Sequence, residues 1–132
     1  MCIRDSHKTG RNRSNPRLVI GGGGTLQPVV YGLVVEQILG RPVRESRLFY
    51  STAAGGFAEH PVPLSASNRR AGIEALEIID RAIELGFLPP APSERACAWC
   101  DFRSVCGPDE ARHVARKAAE PLGDLLMLRE MP

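Results

Sequence analysis

Three cysteines stand at Cys97, Cys100 and Cys106, a C-x2-C-x5-C spacing within ten residues. Thiols packed this closely in sequence point to metal or cluster ligation in a reducing compartment. A disulfide framework would instead spread its cysteines through the fold. A tetrahedral Zn²⁺ site or an iron–sulfur cluster takes four protein ligands, so the triplet is one short. The remaining cysteine, Cys2, lies in a stretch, Met1–Ser6, that reads as a joining scar rather than native sequence. A fourth sulfur is therefore expected upstream. His113, seven positions after Cys106, is the alternative and would complete a Cys₃His zinc site.

Lysine is the second chemical signal. Of seventeen basic residues only Lys8 and Lys117 are lysines. A compact ammonium can orient a water or a phosphoryl oxygen where a broad guanidinium cannot. Lys8 stands next to Thr9-Gly10. Gln27 and Tyr31 are the third signal: four residues apart, they share one helix face. Together they could hydrogen-bond a carboxylate, a lysine or a phosphate, or simply sit at a helix start and a packed surface. The glycine run Gly21–Gly24 lacks the Gly-Lys-Ser/Thr of a phosphate loop and the Gly-x-Gly-x-x-Gly dinucleotide spacing, so it reads as a turn.

These residues need elements to hold them. His7–Gly10 reads as the end of a strand, and 11–16 as a polar loop. Thr25 is the expected cap of a helix running to about Leu39, with Pro28 in its first turn and Gly40 as terminator. Leu26, Val30, Leu33 and Val34 supply its apolar face. Residues 47–52 and 57–64 read as strands joined by Ala53-Ala54-Gly55-Gly56. Ser65 or Ser67 caps a second helix to Leu85, with Ile73, Leu76, Ile79 or Asp80, and Ile83 expected on its buried side. Pro89, Pro90 and Pro92 stiffen a linker into the cysteine segment. Pro108, Asp109 and Glu110 open a third helix, and 122–128 close the chain with a short one.

The chain has 132 residues, 43% of them apolar, enough for one core. No apolar run reaches the roughly 18–20 residues of a membrane span, and no secretory signal is visible, so a cytoplasmic setting is expected. Net charge is +2, but residues 1–47 carry eight Lys/Arg against three Asp/Glu, and residues 48–132 nine against twelve. A basic first part suits phosphate contact; Arg41, Arg44 and Arg47 could track a backbone or simply be solvated. His60, beside Pro61, reads as a surface residue.

Taken in order, His7-Lys8-Thr9-Gly10, Gln27-x3-Tyr31 and Cys97-x2-Cys100-x5-Cys106 resemble the PD-(D/E)XK nuclease superfamily, specifically its RecB/AddB-like iron–sulfur branch. The resemblance covers about residues 7–107. It implies an α/β fold: a partial restriction-endonuclease-like core, a short mixed sheet flanked by helices, and a C-terminal cysteine-cluster loop. It divides the chain into 1–6 as scar, 7–90 as the C-terminal part of the nuclease core, 91–107 as the cysteine loop and 108–132 as C-terminal helices. It implies a Mg²⁺- or Mn²⁺-dependent DNA exonuclease of repair and recombination, acting on single-stranded ends beside a helicase or helicase-like module. Lys8 becomes the catalytic lysine, with Gln27 and Tyr31 supporting the site and contacting DNA. Cys97, Cys100 and Cys106 become ligands of a [4Fe–4S] cluster, with Trp99 and Phe102 packed around it.

One departure bears on activity. The family's carboxylate should stand two residues before the lysine, where this chain has Ser6. Asp5 is one residue out of step, which on a strand turns it to the opposite face. With the metal-binding carboxylates and the first cysteine missing, the fragment is expected to be inactive alone. The competing expectation is a small zinc-binding interaction module built on Cys97, Cys100, Cys106 and His113, without catalysis.

Overall fold

Buried and more exposed side chains alternate along Leu48–Tyr50 and Glu59–Pro63, the pattern of strands covered on one face. The computed structural model describes residues 2–12, 14–15, 18–92, 96–107 and 109–132. Three strands, β1 (Cys2–Lys8), β2 (Val43–Tyr50) and β3 (Glu59–Pro63), form one mixed sheet in the order β1-β2-β3. β1 and β2 are parallel, with Ser6 opposite Leu48 and Lys8 opposite Tyr50; β2 and β3 are antiparallel. Parallel neighbours need a crossover, supplied here by helix α1 (Gln27–Leu39). The result is the expected α/β fold, a short mixed sheet with flanking helices.

Strand boundaries differ from the sequence reading in all three strands, β3 being Glu59–Pro63 rather than 57–64. β1 includes residues 2–6, which fold reasoning had set aside, and Ser6 is buried in it. β2 starts at Val43 rather than Arg47, because β1 offers it a parallel partner back to that point. Such pairing is non-local, so no feature of 43–46 alone reveals it. Ser51 and Thr52 fall just past β2, in the turn that leads to β3.

Periodicity found part of each long helix's inner side, since Leu26, Leu33 and Ile79 pack against the core, but the fully buried stripe is a different one. α1 buries Pro28, Val29 and Gly32, while Val34 is half exposed. Helix α2 (Ala66–Glu84) buries Gly72, Ala75 and Ile78, leaving Ile73, Leu76 and Ile83 outward. The reason is close approach. A Cβ on Gly72 would lie 2.4 Å from Val29 Cγ1, and one on Gly32 would lie 2.6 Å from Leu64 Cδ2. Small residues therefore define the contact, and the larger apolar ones flank it. Ser65 caps α2, its side chain accepting from the Asn68 N–H, as expected. Thr25 does not cap α1, which begins after Leu26 with no side-chain cap. Gly40 ends α1 in the left-handed conformation, its N–H reaching the Glu36 carbonyl.

The main core gathers Ile20, Val29, Val62, Ala75, Ile78 and Leu128. Beyond α2 lie short helices α3 (Arg103–Cys106), α4 (Glu110–Ala115) and α5 (Gly123–Glu130). Pro108, expected to open the third helix, lies outside the described residues; Glu110 begins α4. The glycine run forms a tight turn whose amides are committed. Ile20 and Gly21 N–H donate to the Pro132 carbonyl, and Gly22 N–H donates to that of Met131. This is why it is no phosphate cradle. Among the described residues no helix is long and apolar enough to cross a membrane.

Candidate active site

β1 sends its even-numbered side chains toward α1. Arg4, Ser6 and Lys8 share that face, and each is at least partly buried. The Lys8 ammonium donates a hydrogen bond to the Gln27 side-chain carbonyl at the start of α1. One turn further along α1, the Arg4 guanidinium lies 4.3 Å over the centre of the Tyr31 ring, a cation–π contact. Gln27 and Tyr31 thus share the face that the i,i+4 spacing requires, and both meet β1. Lys8 and Gln27 touch; Tyr31 packs beside Arg4, and its ring stays 41% exposed. Arg4 escaped the sequence reading because residues 1–6 were set aside, although its position four before Lys8 puts it on the lysine's side of the strand.

The odd-numbered face carries a separate polar cluster. Arg47 Nε and Nη2 hold Asp5 at 2.7 and 3.2 Å, and its Nη1 holds Glu59 at 3.0 Å. Arg47 is therefore spent on two carboxylates, and Arg44 lies 3.3 Å from Glu45. His7 stands edge-on to Phe49, ring centres 5.5 Å apart, with Nδ1 3.2 Å from Ser51 Oγ. Asp5 thus projects from the face opposite Lys8 and is engaged by a guanidinium. The residue on Lys8's face at the carboxylate register is Ser6, 8% exposed. The groups beside Lys8 are an amide, a hydroxyl, a phenol and a guanidinium; they do not by themselves fit a divalent-metal site.

A turn clamps the chain just after the lysine. Ser51 N–H donates to the Lys8 carbonyl at 2.9 Å. Thr52 Oγ1 donates to the Thr9 carbonyl at 3.3 Å and accepts from Gly55 N–H at 3.1 Å. Neither Ser51 nor Thr52 had drawn notice in the sequence, since a lone hydroxyl in a turn carries no local signal.

His60 corrects an expectation. It is buried, 5% exposed, because β3 turns its even-numbered side chains inward, and its Nε2 has no hydrogen-bond partner among the described residues. Burial holds the ring's pKa below its ordinary 6.5.

The cysteine segment lies apart from this face. Cys97 is half-buried in a short 3₁₀ turn, Ala96–Trp99, while Cys100 and Cys106 are exposed; all three are free thiols. Backbone bonds link Cys100 N–H to the Cys97 carbonyl (3.4 Å) and Arg103 N–H to that of Cys100 (3.3 Å). Among the described residues no three Cys, His, Asp or Glu side chains converge as a metal-binding group, His113 on α4 included. As arranged, the thiols do not fit a closed metal centre. Trp99, Phe102 and Val105, interleaved with them in sequence, are 90, 72 and 81% exposed.

A concavity of about 580 Å³ lies between α2 and α5 and includes Ile78, Leu85, Phe87, Leu122 and Leu125. It is apolar and distant in the fold from Lys8, and its charged pair, Arg81 and Asp124, is mutually bonded at 3.0 Å. Chemistry points instead to β1 and α1.

A β1–α1–β2 unit with a strand-end lysine bonded to the first residue of the crossover helix is a specific arrangement. No curated protein matches the chain. The family model of the PD-(D/E)XK nuclease superfamily, however, matches residues 3–107, which takes in β1 from Ile3 onward, all of the clamp, both long helices and the cysteine segment. With that match over most of its length, and the lysine, helix and mixed sheet in register, the chain belongs to the PD-(D/E)XK nuclease superfamily.

Proposed function

We propose that this chain is the C-terminal part of a Mg²⁺- or Mn²⁺-dependent DNA exonuclease of the RecB/AddB-like branch, working in repair or recombination. The carrying observation is the Lys8 ammonium held against Gln27 on the inner face of β1, within the family match. Lys8 is the catalytic lysine, orienting the attacking water; Gln27 fixes it, and Tyr31 faces the DNA. A divalent metal, held by carboxylates outside this chain, would supply Lewis-acid activation of the scissile phosphate. Its carboxylates belong upstream, with an Asp where Ser6 stands here, so the chain alone does not hydrolyse DNA. Residues 1–6 are a scar that occupies the strand's register. The half-open sheet and the exposed apolar ridge of Val34, Ile38 and Leu39 on α1 support a missing layer of the same core. A helicase module and single-stranded DNA ends complete the reading.

The cysteine loop, in this proposal, holds a [4Fe–4S] cluster once the upstream sulfur is supplied. Three exposed apolar side chains interleaved with three thiols support a segment that folds fully around a cofactor. Anaerobic purification with metal analysis separates this from the zinc-module alternative: iron with sulfide supports the cluster, and stoichiometric zinc supports Cys97, Cys100, Cys106 and His113.

The decisive experiment joins the chain to its genomic upstream frame and follows cleavage of end-labelled single-stranded DNA in Mg²⁺. Lys8→Ala is expected to lower cleavage by about 10²–10⁴-fold, the range for a positioned proton-transfer group, with DNA affinity nearly unchanged. Cleavage at the original rate would remove Lys8 from the mechanism.

A further inference from the structure

We propose that the Thr52 hydroxyl is a positioning residue for Lys8, locking the turn after the lysine so that its ammonium stays against Gln27. The inference rests on the reading of Lys8 as the functional lysine, and its test needs no nuclease activity. Lys8 is the last residue of β1, and the chain leaves the sheet there. Its carbonyl and the next are gripped from the β2–β3 turn: Ser51 N–H takes the Lys8 carbonyl at 2.9 Å, and Thr52 Oγ1 takes that of Thr9 at 3.3 Å. The same Thr52 oxygen accepts from Gly55 N–H at 3.1 Å, so one hydroxyl bridges the turn and the residue following the lysine.

Gly55 makes this closure possible. A Cβ there would lie 2.7 Å from Tyr50 Cβ and 3.0 Å from the Gly10 carbonyl oxygen. The turn therefore sits directly on Gly10, at the far end of the Lys8-Thr9-Gly10 segment. A β-branched threonine is stiff about χ1, which suits an oxygen that must face two partners at once.

Positioning matters because a free lysine side chain has a large rotamer entropy to lose. One charge-assisted hydrogen bond to Gln27 returns a comparable amount. The contact persists only where the backbone carrying Lys8 is itself held. Thr52 supplies that restraint from forty-three residues away in sequence.

The composition offers a clean measurement, because Lys8 and Lys117 are the chain's two lysines. Lys117 donates to the Pro90 carbonyl, away from this turn, and serves as the internal reference. Competitive acylation of the full chain with acetic anhydride, read by peptide mass spectrometry, gives the reactivity of each amine. Thr52→Val, which keeps the shape and loses the hydroxyl, is expected to raise Lys8 reactivity relative to Lys117 by about fivefold, the equivalent of one lost neutral hydrogen bond. Thr52→Ser keeps the hydroxyl and should stay within about twofold of the unaltered chain. Gly55→Ala, with the hydroxyl intact but the turn pushed off Gly10, should move in the direction of Thr52→Val. An unchanged Lys8 rate in Thr52→Val overturns the proposal, as does an equal rise at both lysines, which would be general loosening. Failure of the catalytic reading of Lys8 would show separately, as undiminished cleavage by Lys8→Ala.

Discussion

His60 pairs in register with Leu48, buried, with a ring nitrogen that meets no partner among the described residues. In the unfolded chain the ring takes up a proton as pH falls through 6.5, its ordinary value; in the folded chain burial resists that proton. The unfolded state therefore binds more protons, and stability drops as pH falls from about 6.5 to the lower folded value. The slope is at most about 1.4 kcal/mol per pH unit. Urea unfolding at pH 7.5 and 5.5 should show this loss in the unaltered chain and a smaller one in His60→Leu; equal losses would acquit the histidine. At this scale the sequence named Lys8, Gln27, Tyr31 and the cysteines from residue type and spacing. His60, Ser51 and Thr52 were not legible, because their importance comes from burial or from partners about forty residues away.

Between elements, one guanidinium joins both helices to the sheet. Arg69 on α2 bonds Glu36 on α1 through Nε (3.0 Å) and Nη2, and the carbonyls of Val43 (2.8 Å) and Leu64 through Nη2 and Nη1. Glu36 in turn accepts from the Val43 N–H at 2.7 Å, where β2 begins. Removing the cation with Arg69→Met strands a part-buried carboxylate and two carbonyls. A loss of about 2–4 kcal/mol is expected by chemical denaturation. The Arg69 hydrogen bond, aided by the Val43 amide against a smaller burial penalty, holds the Glu36 carboxyl below its ordinary 4.5. Its contribution is complete above 4.5 and is lost as pH falls through the folded value. Glu36→Gln should therefore flatten the stability profile below pH 4.5, and a profile as steep as before would refute the assignment. The existence of α1, α2 and the β2–β3 hairpin was readable from periodicity and Gly40, Ser65 and the Ala53–Gly56 turn. Their buried stripes were readable only in part, through Leu26, Leu33 and Ile79, since Gly32 and Gly72 exert their effect only when another element comes within van der Waals reach.

For the molecule as a whole, the glycine turn at 21–23 ties the region before α1 to the residues after α5. Gly22 has φ +61°, and a Cβ there would lie 2.9 Å from the Arg129 carbonyl oxygen. Gly22→Ala combines left-handed strain with that clash and should cost about 1–3 kcal/mol, a melting temperature lower by roughly 5–10 °C. Gly10→Ala, where a Cβ meets nothing within 4 Å, is the control and should be near neutral. Comparable melting of the two variants would show that the turn does not hold the fold closed.

Sequence alone determined the chemical inventory: a scarce lysine, a Gln/Tyr helix face, a thiol triplet, and a serine two residues before the lysine. It also determined the kinds of elements, because capping, turns and periodicity are properties of a few neighbouring residues. Tertiary structure decided which of these meet. It put Lys8 on Gln27, turned Asp5 to Arg47, left the thiols unconverged and spent the glycine amides on the chain's last carbonyls. Those outcomes depend on strand register and on how closely backbones approach, quantities set by contacts between residues distant in sequence.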